Sequence, residues 1–235
     1  MSASKQKIIF VTGTDTDVGK TLFTALLLHH LRQKGCHALA MKPFCSGSRA
    51  DVNLLQSLQS GELSDAEMNP FYFAEPIAPL VAAKKQRKTI RLKEVVARIK
   101  KIQAKSEVLL IEGSGGLLVP LGKDFDVADL IQVIDCQVVV IARNRLGTIN
   151  HTMLTVNALQ AMGKPPIATA LMSAAKPDLT SRTNAQVLAT LLRPINVLEI
   201  PFLGKQPLRT TSVKENALKI HKTLATIARS SGFLC

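Results

Sequence analysis

The chain has 235 residues, 46% of them hydrophobic and 20% charged, which is a globular composition able to bury a full core and excludes a fibrous or disordered chain. No apolar run approaches the roughly 20 residues that cross a bilayer. The net charge of +13 leaves a nucleic-acid surface open, whereas four scattered cysteines (Cys36, Cys45, Cys136 and Cys235) fit neither a disulfide framework nor a metal knuckle, so reduced thiols in the cytoplasm are expected.

Residues 1–7, Met-Ser-Ala-Ser-Lys-Gln-Lys, lead straight into a strand at 8–11, Ile-Ile-Phe-Val, so no secretion signal is expected. Its unbroken apolar run reads as a buried parallel strand. The loop Gly13-Thr14-Asp15-Thr16-Asp17-Val18-Gly19-Lys20-Thr21 follows, then a helix over 21–34 that Gly35 stops. Strand, glycine loop, Gly-Lys-Thr and helix form a phosphate cradle. Glycine admits close backbone approach to phosphate oxygens, and the helix start adds free N–H donors and its positive dipole end. Lys20 would reach the terminal phosphates and the Thr21 hydroxyl would ligate magnesium. Five residues separate Gly13 from Gly19, one more than the general pattern, which marks a specialised branch; the bland alternative is an ordinary strand–turn–helix with a solvated lysine.

A second strand is expected over 36–41, ending in Lys42-Pro43 at the end of the sheet where ligands bind. The hydroxyl-rich loop 44–49 precedes Asp51, read as the N-cap of a helix carrying Val52, Leu54, Leu55 and Leu58. Residues 61–69 are polar, and the three prolines of 69–79 make an ordered loop before a short helix at 80–85. A helix over 92–105 carries apolar Val95, Val96, Ile99 and Ile102 at helical spacing. Ten of the basic residues fall in 84–105, including Lys84, and are read as the solvated face of an amphipathic helix rather than as a nucleic-acid site, because no aromatic ladder accompanies them.

The strand at 107–111 ends in Glu112-Gly113-Ser114-Gly115-Gly116. A carboxylate there is where a phosphate-loop enzyme places its second metal contact, against the alternative of an exposed turn carboxylate. A short strand at 117–121, a helix flanked by Asp126 and Asp129, a strand at 137–142, a polar loop at 143–150 and a helix to 162 follow. Then come a strand at 167–172, a helix at 178–192, a strand at 195–200 ended by Pro201, and a helix at 212–229. This alternation predicts one α/β domain over 1–235, with a mostly parallel sheet, helices on both faces and a phosphate-loop NTPase-like architecture.

Four stretches read together carry a resemblance: Gly13 to Thr21, Lys42-Pro43 with Ser46-Gly47-Ser48, Phe73-Ala74-Glu75-Pro76 with Pro79, and Glu112 to Gly116. In this order they resemble the dethiobiotin synthetase family of biotin biosynthesis, from Ile8 to about Leu203. The resemblance implies an ATP-dependent ligase acting on 7,8-diaminononanoate and CO2. It implies Lys42, Lys20 and Thr16 as catalytic residues, and a nucleotide site of Asp17, Val18, Gly19, Lys20, Thr21, Glu112, Gly115, Ser173 and Pro201. It implies substrate contacts from Thr16, Lys42, Ser46, Gly147, Thr148 and Asn150, and Mg2+ held by Thr21, Asp51 and Glu112. The substrate-tail site is completed across a homodimer in that family. Ser173 stands where many members carry an asparagine that reads adenine, which leaves base preference open, and the segment around Asn184 lacks an expected aromatic contact. The rival reading is a partition- or cluster-carrier-type ATPase, but that branch has a lysine where this chain has Asp15, and cluster carriers need a cysteine pair.

Overall fold

The computed structural model describes residues 7–232; the start of the chain and Cys235 lie outside them. In chain order the elements are β1 (Lys7–Gly13), α1 (Lys20–Gln33), β2 (Ala38–Met41), β3 (Phe44–Ser46), α2 (Ala50–Leu58), α3 (Asp65–Met68), β4 (Phe71–Phe73), α4 (Pro79–Lys85) and α5 (Leu92–Gln103). They continue as β5 (Val108–Glu112), α6 (Val127–Val133), β6 (Gln137–Arg143), α7 (Thr148–Ala161), β7 (Ala168–Met172), α8 (Asn184–Leu191), β8 (Asn196–Ile200), α9 (Thr210–Lys219) and α10 (His221–Ser230).

Six strands form one sheet in the order β2-β5-β1-β6-β7-β8, with every neighbouring pair parallel. Strands covered on both faces must be apolar throughout. Accordingly Ile8 to Val11, Val108 to Ile111 and Val138 to Ala142 are all buried. The right-handed rule for parallel crossovers puts α1 on one face, because it carries the chain past β5 to β2, and the returning connections through α5, α6, α7 and α8 on the other. Both α9 and α10 pack against α1. With neighbours on most sides, α1 buries Phe23, Leu26, Leu27, Leu28 and Leu31. By contrast α5 buries Val95, Ile99 and Ile102 and keeps its lysines and arginines in water.

The chain leaves β1 in one direction toward β2 and later steps from β5 to β6 in the other. The crevice at that reversal lies outside the carboxyl ends of the strands, where Gly13, Lys42, Glu112 and Arg143 all stand.

Several boundaries depart from expectation. Asp51 is not an N-cap: α2 begins at Ala50 with Arg49 as cap, and the Ala50 amide donates to Ser48 Oγ (3.1 Å), which starts the helix early. Residues 44–46 and 71–73 pair as a separate two-stranded parallel sheet, braced by stacked Phe44 and Phe71 rings 4.8 Å apart. Residues 117–121 make no strand, only a bridge between Pro120 and Asp126, since proline cannot donate to a ladder. The helix expected at 178–192 is a 3-10 turn, Leu179–Arg182, followed by α8. Asp178 Oδ1 accepts from the Ser181 amide (2.9 Å) and caps the turn. The C-terminal helix bends at Ile220 into α9 and α10, although the Ile220 amide still donates to Asn216 and that of Leu224 to Ile220 (both 3.1 Å).

Candidate active site

Gly13 ends β1 where a Cβ would stand 2.7 Å from Val18 Cγ2, so only glycine lets the loop fold back over its own strand. Gly19 caps α1 at φ 104°, a left-handed value that also favours glycine. α1 has no side-chain cap and no acidic residue in its first turn. Its first N–H groups and positive dipole end are therefore free for an anion. Asp17 adopts a left-handed φ of 55°, and Arg143 donates to its carbonyl from Nε (2.9 Å) and Nη2 (2.6 Å).

Lys20 Nζ donates to the Asp15 carbonyl at 2.7 Å. Burial pulls its pKa down to about 8, with Glu112 acting in the opposite direction. Lys42, 8% exposed, donates to Glu112 Oε1 (2.8 Å) and to Asp51 Oδ2. Burial would lower its pKa, but these two carboxylates outweigh that and hold it above the ordinary lysine range. Lys42 is therefore a fixed ammonium and not a base. Glu112, 1% exposed, also accepts from Thr21 Oγ1 at 2.7 Å.

Two buried polar atoms here have no hydrogen-bond partner among the described residues: Glu112 Oε2 and Ser46 Oγ. Buried polar atoms are normally paired, so these two fit ligand atoms. Burial pushes the Cys45 thiol up, and it donates to the Ser48 carbonyl (3.3 Å), which fits a packing role.

These side chains share one cleft of about 750 Å³. Of the residues expected from sequence, Thr16, Asp17, Gly19, Lys20, Thr21, Lys42, Ser46, Asp51 and Glu112 line it, with Gly115. Val18 is buried and faces a separate cavity of about 30 Å³ behind the loop, shared with Arg143, Arg145, Thr148 and His151. Thr16 borders both cavities. Gly147 caps α7 and Asn150 lies exposed in its first turn, neither of them lining the large cleft. Ser173 and Pro201 follow β7 and β8 directly, and the Ser173 amide donates to the Ile200 carbonyl (2.9 Å). They also lie outside the cleft lining, beside Met172, whose side chain abuts Gly19. Arg143, whose target is a backbone carbonyl, and Pro207 and Leu208, which reach the cleft from a distant loop, carry no local signal in the sequence.

A family model described as "AAA domain" matches residues 7–215. In solved structures the fold is similar to that of a ParA family ATPase from Chlorobium tepidum (TM-score 0.57, 13% identity, 97% of this chain and 100% of that one). It is also similar to the MinD cell division protein of Aquifex aeolicus (TM-score 0.59, 13% identity, 97% and 98%). At such identities the likeness establishes the phosphate-loop ATPase fold alone. The sequence relatives are more specific. The ATP-dependent dethiobiotin synthetase BioD of Bacillus subtilis strain 168 is 38% identical over 220 residues, covering 91% of this chain and 92% of that protein. The protein of the same name from Methanococcus vannielii is 42% identical over 156 residues, covering 66% and 74%. Likeness of that extent, in bacterial and archaeal relatives, means that the chain belongs to the ATP-dependent dethiobiotin synthetase family.

Proposed function

We propose that the chain closes the ureido ring of dethiobiotin from 7,8-diaminononanoate and CO2 at the expense of ATP, the reaction for which its family is named. One amine takes up CO2 to give a carbamate. A carbamate oxygen attacks the γ-phosphorus of ATP and ADP leaves, giving a carbamic-phosphoric anhydride. The second amine attacks the anhydride carbonyl, phosphate leaves and the ring closes. No enzyme nucleophile is needed. The task is to hold two anions, carbamate and triphosphate, in contact against their repulsion.

The observation that carries this reading is the convergence of Lys20, Lys42, Thr21, Asp51 and Glu112 on one cleft. Lys20 and the amides of Val18, Gly19 and Thr21 would hold the triphosphate, with Asp17 and Gly115 beside it. Lys42 would bridge carbamate and γ-phosphate, and its pinned position keeps that charge in place. The unpartnered Ser46 hydroxyl and Thr16 would bind the carbamate. Ser173 and Pro201 would lie toward the base. Thr21, Asp51 and Glu112 are hard oxygen donors of the kind Mg2+ takes, and the free Glu112 Oε2 fits that role. Bound there, Mg2+ would neutralise charge shared by the terminal phosphates.

Gly147, Thr148 and Asn150 would receive the substrate's carboxylate at the start of α7, where the positive end of the helix dipole favours an anion. They lie outside the large cleft. A homodimer in which one protomer's α7 meets its partner's cleft accommodates both observations, with residues 1–235 acting as one domain in the cytoplasm.

The decisive assay supplies ATP, Mg2+, bicarbonate and diaminononanoate and measures phosphate release together with dethiobiotin by mass. Diamine-dependent phosphate release with matching product is expected, and its absence sinks the proposal. DNA-stimulated hydrolysis without product would favour the partition-type alternative. Repeating the assay with GTP and CTP reads the base preference at Ser173.

A further inference from the structure

We infer that Arg143 is a positioning residue for the nucleotide, acting through the backbone of the phosphate loop and not by touching the phosphates. The inference rests on the ATP-binding reading of that loop. Arg143 ends β6, two strands away from β5 and its metal-side carboxylate, and is not part of the large cleft. Its guanidinium spends two donors, Nε at 2.9 Å and Nη2 at 2.6 Å, on one acceptor, the Asp17 carbonyl. A charged fork aimed at a single backbone oxygen is a strong orienting contact.

The peptide it grips is the one that most needs orienting. Asp17 is held at φ 55°, a left-handed conformation that aspartate adopts more readily than most residues with a Cβ but still at a cost, and Gly19, two residues on, is also left-handed at 104°. The contact from Arg143 thus falls on the left-handed residue of the loop and favours that turn over its alternatives. In a planar trans peptide the carbonyl of one residue and the N–H of the next point in opposite directions. Drawing the Asp17 oxygen toward Arg143 thus turns the Val18 amide away from Arg143, to the opposite side of the loop. A flipped peptide would instead present a carbonyl oxygen to the triphosphate, repelling it. The loop is tied to the same strand a second time, because the Thr14 amide donates to the Ile141 carbonyl at 2.9 Å. β6 thus serves as the rigid backing of the cradle, with Arg143 as its adjustable clasp.

The test compares wild-type protein with Arg143→Ala, Arg143→Gln and Arg143→Lys. It measures AMPPNP affinity by calorimetry, steady-state KM for ATP and for diaminononanoate, and the nucleotide-free melting temperature. Arg143→Ala should weaken AMPPNP binding by about tenfold, equivalent to ~1.4 kcal/mol, and raise KM for ATP in parallel. KM for the diamine and the nucleotide-free melting temperature should stay near wild type. Arg143→Lys, which keeps one charged donor, should recover part of the loss, and Arg143→Gln less. Unchanged AMPPNP affinity in both Ala and Gln variants overturns the inference, as does a loss confined to the diamine KM. If the assay of the whole reaction fails while AMPPNP still binds wild type and not the variant, the clasp stands and the proposed reaction falls.

Discussion

Lys20 and Lys42 are buried lysines in the same cleft, yet their surroundings drive them in opposite directions. Lys42 has two carboxylates against its ammonium and stays charged, whereas burial lowers Lys20 to about 8. The sign of the consequence follows from what each meets. A bound triphosphate favours the ammonium form of Lys20. Below about pH 8 the free protein already carries that proton, and binding leaves it unchanged. Above about pH 8 the proton is missing from the free protein and must be taken up, so affinity falls as pH rises. AMPPNP calorimetry at about pH 8.5, in two buffers of different ionisation enthalpy, should register uptake of up to about three-quarters of a proton per nucleotide, fading toward neutral pH. No uptake at the higher pH would mean that Lys20 does not receive the charge. Lys42→Ala should cost at least about 100-fold in turnover, since it removes preorganised charge from the reacting anions. Lys84→Ala, on the solvated face of α4, should leave turnover within about twofold, in line with an exposed charge outside the cleft. Equal losses in the two variants would misplace the site.

At the scale of elements, β2 is an edge strand whose outer backbone groups need partners. Gln59, fully buried at the end of α2, supplies them: its amide accepts from the Ala40 N–H (2.9 Å) and donates to the Ala40 carbonyl (3.0 Å). The side chain imitates a neighbouring strand for one residue, and it anchors the strand that delivers Lys42. Gln59→Leu leaves a buried donor and a buried acceptor unpaired, so stability should drop by about 2–5 kcal/mol in urea denaturation. A drop under about 1 kcal/mol would mean that water or a shift of α2 replaces the amide. Such pairings explain which parts of the fold could be read in advance. The central strands were legible because burial on both faces writes an unbroken apolar run, and Glu112 and Lys42 were legible because they end such runs. β3 and β4 were not, since strands of three residues have no period to detect. The bend at Ile220 carries no glycine or proline to announce it. Arg143 in a polar loop resembles any solvated arginine, because its partner is a backbone oxygen set by a left-handed Asp17.

At the scale of the whole molecule, the proposed tail site at the start of α7 must meet the cleft. Leu146, Leu154, Leu179 and Leu191 are 75%, 63%, 80% and 54% exposed, and they stand on or beside α7 and α8. Large apolar side chains left in water on adjoining elements mark an interaction surface. Leu146 immediately precedes the helix start proposed to hold the tail, and its amide donates to Asp178 (2.8 Å), the neighbour of Leu179, so two of these side chains stand beside that start and suit the proposed dimer in which each site draws on both protomers. The arrangement makes a prediction that a single-chain site does not. Asn150→Asp adds a negative charge to the first turn of α7, where it suits the helix dipole but repels a carboxylate. Lys42→Ala disables the cleft. Each variant alone should be nearly inactive at low diamine. Coexpressed, half of a random population would be mixed dimers, in each of which one site pairs an intact cleft with an intact helix start, restoring about a quarter of wild-type activity. If the tail binds within the chain that owns the cleft, every site keeps one lesion and the mixture stays as inactive as its components. Sedimentation of the same samples separates the two failures: inactive dimers would refute the sharing of sites, and inactive monomers would refute the dimer itself.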